Sequence, residues 1–381
     1  MVDQPSHVSP ACLQPSRPKA KIPEWKAQST PIYQIDKTYR ENADEGPLFQ
    51  GEIPPRPLLP KQLRTNFLGF SISSPIGVPA GPLLNAKWIG FAARLGFDVV
   101  TYKTIRSHEH PSHPLPNVIP VQTLPTHAQP LENPLHSLEH LGITNSFGNP
   151  SASQQFLRHD IPKAKDQLQE GQVLIVSVFG TARGKVSLVE DYARTALFAK
   201  DCGAHIIEAN YSCPNVSEKG GSLYSNPEMV YTLTSSIAKA LKSTPLIIKM
   251  GAFPNDALMR ESIIAAGRGG ARAICGLNTV SMKILDRSGK PALGPERIAS
   301  GVCGGPIREA AIHFTRQSRK IIDKEKLDMQ LLATGGITLP HHFQTFLQAG
   351  ADIAMTTTGM MWDPYLAMRY HGSNHADRTT L

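Results

Sequence analysis

The segment Asn210–Asn215, with the sequence NYSCPN, holds the side chains of this 381-residue chain that are best suited to chemistry. A cysteine thiol has a pKa of about 8.5, so Cys213 can accept a proton near neutral pH once a neighbouring group favours its thiolate. The side-chain amides of Asn210 and Asn215 each offer a donor and an acceptor, which suits a ring with alternating N–H and C=O groups. The alternative is that Cys213 is a small buried hydrophobic residue, but its place between two amides favours a thiol base.

Residues suited to binding anions recur elsewhere in the chain. Lys103 and Lys249 each end a short apolar run, and a buried ammonium is costly unless it meets an anion; the alternative is a side chain that extends to solvent. Glycines follow two further runs, in Thr334-Gly335-Gly336 and Thr358-Gly359, and Gly304 lies in a glycine-rich loop. Each glycine alone also fits an ordinary turn, but together they let a backbone approach a phosphate closely. We therefore expect a phosphate-bearing ligand, and a reduced flavin would also place negative charge beside a lysine.

Short apolar runs alternate with helical patterns from about residue 65 onward, as expected for buried parallel strands and their connecting helices. The predicted strands are Ser74–Gly81, Asp98–Thr104, Val173–Gly180, His205–Ser212, Pro245–Gly251, Ala271–Thr279, Leu331–Gly336 and Asp352–Gly359. The predicted helices are Asn85–Leu95, Glu190–Cys202, Pro227–Lys242 with Asn226 as its N-cap, Asn255–Ala266, Pro306–Lys326 and Pro340–Gln348. Only the stretch from about 105 to 172 is long and mixed.

This alternation predicts an α/β fold, a (β/α)8 TIM barrel over residues 61–381, with a Pro-rich, irregular N-terminal extension over residues 1–60. In such barrels the chemistry lies at the C-terminal ends of the strands, which is where the amides, the lysines and Cys213 fall. No Gly-x-Gly-x-x-Gly follows the first run, which argues against a dinucleotide-binding fold.

The composition excludes several other classes of protein. The net charge is +8, but Lys and Arg are scattered without long runs, so we expect no nucleic-acid partner. The five cysteines form no Cys-x-x-Cys pair, which disfavours disulfides and metal or iron–sulfur sites in this chain and indicates a cytoplasmic setting. No apolar run is long enough to span a bilayer.

The Asn210–Asn215 segment resembles the fourth-strand motif Asn-x-Ser-Cys-Pro-Asn of the class 1 dihydroorotate dehydrogenases; the membrane-bound class 2 enzymes have Ser in place of the Cys. The resemblance extends from about Leu68 to Arg369. Asn145-Ser146-Phe147-Gly148 is similar to the family's substrate loop, Asn278-Thr279 to its sixth-strand pair, and Ala80-Gly81 to its first-strand flavin contact. Lys103 and Lys249 stand where the family has two flavin-side lysines.

The resemblance implies FMN as cofactor and oxidation of dihydroorotate to orotate, in pyrimidine biosynthesis. Cys213 would remove the C5 proton, and the C6 hydride would pass to flavin N5. The substrate-binding residues implied are Lys103, Asn145, Phe147, Gly148, Asn149, Asn210, Asn215, Asn278 and Thr279, with the backbone N–H groups of 147–149 on the carboxylate. The cofactor-binding residues implied are Ala80, Gly81, Lys103, Thr104, Asn210, Lys249, Gly304, Gly335, Gly336, Thr358 and Gly359. No metal site is expected.

Several alternatives stay open. Asn149 stands where class 1 enzymes often have Leu, so the substrate of this chain is either dihydroorotate or another dihydropyrimidine such as dihydrouracil or dihydrothymine. A tRNA dihydrouridine synthase is disfavoured because Ser212 and Asn215 depart from its motif, and a non-catalytic flavin-binding barrel is disfavoured by the complete set of polar residues. The electron acceptor is fumarate, quinone, or NAD through an electron-transfer partner subunit. The resemblance also implies a homodimer, and Val216–Tyr224 is either a lid over the substrate or a plain surface loop.

Overall fold

Eight parallel strands close into a barrel in the computed structural model of the protein, which describes residues 22–26, 29–56, 64–132, 137–212 and 222–378. The strands of the described residues are β1 (Thr65–Phe67), β2 (Phe70–Ile72), β3 (Ile76–Val78), β4 (Val99–Ile105), β5 (Val118–Thr123), β6 (Ala128–Pro130), β7 (Gly142–Asn145), β8 (Val173–Val178), β9 (Ile206–Asn210), β10 (Leu246–Lys249), β11 (Ala273–Gly276), β12 (Val280–Lys283), β13 (Ala299–Gly304), β14 (Gln330–Thr334) and β15 (Ile353–Met355). The helices are α1 (Tyr39–Glu45), α2 (Ala86–Arg94), α3 (Gln154–Asp166), α4 (Leu188–Asp201), α5 (Pro227–Leu241), α6 (Asp256–Arg268), α7 (Arg308–Lys324), α8 (Pro340–Gln348), α9 (Thr358–Trp362) and α10 (Leu366–Arg378).

The barrel confirms all eight predicted strands. Its order is β3-β4-β8-β9-β10-β11-β14-β15, and β15 pairs with β3 to close it. Inside, apolar side chains fill the lower part, among them Val99, Val173, Ile175, Ile206, Ile247, Ala273, Leu332 and Ile353. Because side chains alternate along a strand, Lys103, Glu208 and Lys249 follow these residues on the same inward faces. The barrel interior is therefore apolar at one end and charged towards the C-terminal ends of its strands.

The six predicted helices are also present, as α2 and α4–α8. The side chain of Asn226 caps α5 by accepting a hydrogen bond from the backbone N–H of Met229 at 3.1 Å, as predicted. One start differs: the helix predicted from Pro306 begins as a separate 3-10 turn over Gly305–Ile307, and α7 follows it. No helix of the described residues is long and apolar enough to cross a membrane.

A second sheet, which the sequence did not predict, lies beside the barrel mouth. Its five strands run in the order β12-β13-β7-β5-β6, and β13 pairs antiparallel with β7, so that Gly301 lies opposite Asn145. The paired strands are more than 150 residues apart in the chain, and each is too short to show a clear alternation. This sheet brings Asn145 and Gly304 to the mouth of the barrel.

The N-terminal extension contains one helix, α1, in a segment predicted to be irregular. Thr38 and Glu41 form a capping box at its start, which stabilises a helix too short to show periodicity. The prediction of irregular structure is therefore wrong for these seven residues. The predicted boundary near residue 60 falls within 57–63, outside the described residues.

A buried ion pair fastens the end of this extension to the barrel. Arg56 pairs with Asp98, and both side chains are almost fully buried, at 3% and 0% exposure. Asp98 also accepts hydrogen bonds from the Ser74 hydroxyl at 2.6 Å and from the Gln172 amide at 3.2 Å. Removing Arg56 would leave Asp98 as a buried charge without a cation.

We therefore expect Arg56→Met to lower the free energy of unfolding by about 3–5 kcal/mol, the usual effect of breaking a buried ion pair from one side. Urea-induced unfolding measures the change. Arg40→Met is the matched control, because Arg40 and its partner Asp44 are 89% and 73% exposed and such a pair contributes at most about 1 kcal/mol. Equal losses in the two variants would contradict the role given to Arg56.

Candidate active site

A cavity of about 1380 Å³ opens at the C-terminal ends of the barrel strands. Most predicted site residues line it: Ala80, Gly81, Lys103, Thr104, Asn145, Phe147, Gly148, Asn149, Asn210, Lys249, Asn278, Thr279, Gly304, Gly335, Gly336 and Thr358. Gly359 is not among the lining residues, so its contact with a cofactor stays a prediction. Cys213, Asn215 and residues 216–221 of the predicted lid lie outside the described residues, while Ser222 and Tyr224 line the cavity.

Two buried lysines reach the mouth from β4 and β10, which are separated in the barrel by β8 and β9. Lys103 Nζ donates to the carbonyl oxygen of Gly81 at 3.1 Å, and Lys249 Nζ donates to that of Ala80 at 3.3 Å. Burial, together with the nearby charge of Lys249, lowers the pKa of Lys103 from 10.5 to about 7. The positive charges of the two lysines therefore repel each other, and an anion in the cavity would stabilise both.

Glu208, which the sequence analysis missed, lies beneath Lys249 inside the barrel. Its carboxylate is fully buried, and its Oε1 is 3.9 Å from Lys249 Nζ. Burial and the neighbouring Glu208 raise the pKa of the Cys275 thiol well above its usual range, so this cysteine stays neutral. Glu208 thus compensates part of the Lys249 charge, whereas Lys103 pairs with no carboxylate in the described structure. The sequence does carry a signal for Glu208: it precedes Asn210 by two positions, which puts both side chains on the same face of β9.

The amides of two strands are linked through one hydroxyl. Asn278 Nδ2 donates to Ser212 Oγ at 2.5 Å, and Ser212 Oγ donates to Asn210 Oδ1 at 2.7 Å. The Tyr192 hydroxyl donates to the backbone carbonyl oxygen of Asn210 at 2.7 Å. These bonds fix the amide orientations before a ligand arrives, which suits recognition of a ring with alternating donors and acceptors.

Asn145 ends β7, and the loop that follows it continues to Asn149. Arg106 holds the C-terminal end of this loop. Arg106 Nε donates to the carbonyl oxygen of Asn149 at 2.9 Å, and another guanidinium nitrogen donates to that of Gly148 at 3.4 Å. Gly148 and Asn149 have φ of +76° and +51°, a left-handed conformation that Gly and Asn adopt more readily than Leu does. The change to Asn at 149 therefore fits the backbone. Sequence reasoning missed Arg106, because nothing local shows which carbonyl groups it contacts.

Three glycines, one at the end of β13 and two directly after β14, line a further part of the cavity that we call the glycine wall. Gly304, Gly335 and Gly336 have φ of +88°, +109° and +95°. A Cβ at Gly304 would lie 2.2 Å from the carbonyl oxygen of Leu141, and one at Gly336 would lie 2.6 Å from the Cα of Arg308. A side chain at these positions would therefore be strained or would clash. Because all three residues line the cavity, glycine also leaves their backbone accessible to a ligand such as a phosphate.

Cys303 precedes Gly304 in β13 and also lines the cavity. Its Sγ lies 3.6 Å from both Asn145 Nδ2 and Thr358 Oγ1. Burial raises the pKa of the thiol, which disfavours a thiolate near neutral pH. Cys303 therefore supports Asn145 rather than accepting a proton.

A comparison with known families decides the membership of the chain. The model of the family described as dihydroorotate dehydrogenase matches residues 62–370. The chain belongs to the dihydroorotate dehydrogenase family. Members are flavin-dependent oxidoreductases acting on CH–CH groups, which agrees with the predicted family, fold and class of enzyme.

Relatives of this family resemble the chain over different lengths. A dihydroorotate dehydrogenase of Dictyostelium discoideum is 44% identical over 377 residues, covering 92% of this chain and 99% of the relative. The catalytic subunit of an NAD(+)-type dihydroorotate dehydrogenase B of Methanocaldococcus jannaschii is 25% identical, covering 80% and 89%. A ligand-free dihydroorotate dehydrogenase structure from Eimeria tenella has a TM-score of 0.66 at 18% identity, covering 87% and 90%, and supports the barrel fold.

Because the pKa of Lys103 is lowered in the folded protein, its contribution to the free energy of unfolding must change with pH in a known direction. Between the folded value of about 7 and the usual 10.5, the unfolded chain binds more protons than the folded chain. The contribution of Lys103 to the free energy of unfolding therefore rises with pH across this window. We expect wild type to gain stability relative to Lys103→Met from pH 7 to pH 10, by up to about 1.4 kcal/mol per pH unit.

Urea unfolding at several pH values measures this difference. Lys185→Met is the control, because Lys185 is exposed and its difference from wild type should stay flat with pH. A flat difference for Lys103→Met as well would show that Lys103 stays protonated in the folded protein.

Proposed function

We propose that the protein oxidises dihydroorotate to orotate with FMN as its cofactor. One observation carries this: the substrate-loop residues, the strand-end amides and both lysines converge on a single cavity. In the reaction the C5–H bond breaks as a proton leaves, the C6–H bond breaks as a hydride leaves, and a C5=C6 double bond forms. The protein must therefore hold the ring, bind its carboxylate and accept one proton.

The cavity fits FMN on two grounds. Gly304, Gly335 and Gly336 line the cavity without side chains, so a phosphate could approach their backbone N–H groups closely. Lys249 is buried beside the Ala80 carbonyl and would balance negative charge on a ring system. When bound, FMN supplies the hydride acceptor.

The substrate side is the loop that Arg106 holds. We propose that the backbone N–H groups of 147–149 bind the substrate carboxylate, with Lys103 as the nearby cation. The ring would be held by the amides of Asn145, Asn210, Asn215 and Asn278. The Ser212 hydroxyl bonds to the amides of Asn210 and Asn278 and fixes their orientation. Such prior ordering lowers the entropy lost when the substrate binds.

Cys213 is the proposed base for the C5 proton. Cys213→Ala should leave FMN and orotate binding unchanged and slow flavin reduction by dihydroorotate about 10²–10⁴-fold, the usual loss for a general base. Anaerobic stopped-flow absorbance measures the rate. Cys202→Ala is the matched control, since Cys202 is buried away from the cavity and its loss should not change the rate. Reduction of the Cys213→Ala variant at the wild-type rate would exclude this assignment.

Gly336→Ala tests the cofactor wall. A left-handed residue with a Cβ costs about 1–3 kcal/mol of stability. At Gly336 the Cβ would also clash with the backbone of Arg308 and so displace backbone that lines the cavity. We expect at least about a fivefold weaker FMN affinity, measured by fluorescence during reconstitution. Gly289→Ala is the control, because Gly289 has φ of +80° and nothing within 4 Å of an added Cβ. It should lose stability but keep its FMN affinity.

The substrate test compares two dihydropyrimidines. A subunit of the NAD-dependent dihydropyrimidine dehydrogenase of Escherichia coli is 29% identical over 50% of this chain, so dihydrouracil is the relevant competitor. Under anaerobic conditions dihydroorotate should bleach the visible flavin absorption and dihydrouracil should not, since it lacks the carboxylate. Bleaching by dihydrouracil alone would overturn the proposed substrate.

We also propose that the protein is a cytoplasmic homodimer, because its motif resembles that of the class 1 dihydroorotate dehydrogenases. Sedimentation velocity of the purified protein tests the dimer. The relatives include NAD(+)-type and fumarate-type enzymes, so the acceptor is to be identified by supplying fumarate, NAD or quinone to the reduced protein.

A further inference from the structure

Residues 29–56 of the N-terminal extension, which we call the arm, are tied to the barrel by a network around Asn42. Asn42 is fully buried, its Oδ1 accepts from the backbone N–H of Gln34 at 2.8 Å, and its Nδ2 donates to the Gln34 carbonyl oxygen at 2.9 Å. Barrel residues reach back to the arm: Trp88 Nε1 donates to the Asn42 carbonyl oxygen at 3.1 Å, and Asn85 Nδ2 donates to that of Ala43 at 2.7 Å. The arm therefore presents its side chains from a fixed position.

Two tyrosines of the arm pack edge-on against Phe147 of the substrate loop. The ring centroid of Phe147 is 5.6 Å from that of Tyr33 and 5.8 Å from that of Tyr39, with interplanar angles of 76° and 67°. These are the geometries that aromatic pairs prefer. Tyr33 is only 1% exposed, and it packs against Trp88 on its other side at 6.2 Å.

Phe147 in turn covers the buried amine at the mouth. Lys103 Nζ lies 4.8 Å from the centroid of the Phe147 ring, within the range of a cation–π contact. The arm, the substrate loop and the buried lysine thus form one continuous chain of contacts. Phe147 directly precedes Gly148 and Asn149, whose left-handed backbone sets the course of the loop.

We propose that Tyr33 and Tyr39 are positioning residues of the active site: they hold the Phe147 ring over Lys103 and thereby fix the backbone of residues 145–149. The N-terminal extension is then part of the substrate side and not a passive addition to the barrel. The identity of the ligand that this loop binds rests on the proposed function, whereas the ordering of the loop by the arm does not.

Tyr39→Ala is the main test, because Tyr39 is only half-buried and its loss leaves the Thr38 cap in place. We expect orotate to bind the FMN-loaded variant about 3- to 10-fold more weakly, the range for losing an aromatic pair. KM for dihydroorotate should rise by a similar factor while kcat changes less than about twofold. Tyr39→Phe keeps the ring and should restore both values. If the alanine variant fails to fold, Tyr39→Leu tests the same contact.

Phe49→Ala is the matched control. Phe49 lies on the same arm and packs against Phe91 at 5.0 Å and Tyr365 at 5.5 Å, away from the loop. Its truncation should reduce stability without changing orotate affinity. Equal losses of affinity in Phe49→Ala and Tyr39→Ala would show a general effect of the arm on folding and would overturn the proposal.

A double-mutant cycle shows whether Tyr39 acts through Phe147. Phe147→Ala should weaken orotate binding by itself, and adding Tyr39→Ala should then change little, because residues in contact are not additive. Fully additive losses would contradict the proposed chain of contacts.

Amide hydrogen exchange over 143–150 tests the ordering of the loop without any substrate. Exchange should be faster in Tyr39→Ala than in Phe49→Ala or wild type, and equal exchange in all three proteins would overturn the proposal. A wild-type protein that fails to bind orotate would refute the proposed function alone, since the exchange measurement still decides the role of the arm.

Discussion

The burial of two lysines at the mouth of the barrel is the constraint on which the site depends. Lys249 has the Glu208 carboxylate 3.9 Å away and a backbone carbonyl, whereas Lys103 contacts a carbonyl and the face of a phenyl ring and no carboxylate among the described residues. Leaving water is costly for an ammonium group, and burial lowers the pKa of Lys103 to about 7. A negatively charged ligand would therefore stabilise the charged form of Lys103, and the surrounding elements determine which ligand can approach.

Those elements present two kinds of surface to the cavity. The glycine wall from β13 and β14 exposes backbone where a phosphate can approach. The loop after β7, held by Arg106 and by the arm, faces the strand-end amides. A phosphate-bearing flavin on the first surface and an anionic ring on the second would each bring negative charge to the lysines.

Much of this arrangement could be predicted from the sequence because its signals are local. Each barrel strand is an apolar run of a few residues, and a lysine or asparagine at the end of such a run must reach the mouth once the barrel is recognised. The parts that could not be predicted depend on distant residues. The second sheet pairs Gly301 with Asn145, and the role of Arg106 depends on two carbonyl groups more than 40 residues away. Tyr33 and Tyr39 contact Phe147 across about 110 residues of chain, and no periodicity marks such contacts. The functions assigned to Cys213 and Asn215 rest on the motif itself.

The most direct measurement is the uptake of protons when orotate binds the FMN-loaded protein at pH 8. With a pKa of about 7, Lys103 is mostly neutral at this pH, and an anion beside it would draw a proton onto it. Isothermal titration calorimetry in buffers of different ionisation enthalpy should show an uptake approaching about one proton per site, which disappears in Lys103→Met. Binding of orotate without proton uptake, or with the same uptake in the variant, would contradict the role of Lys103 as the cation that receives the substrate.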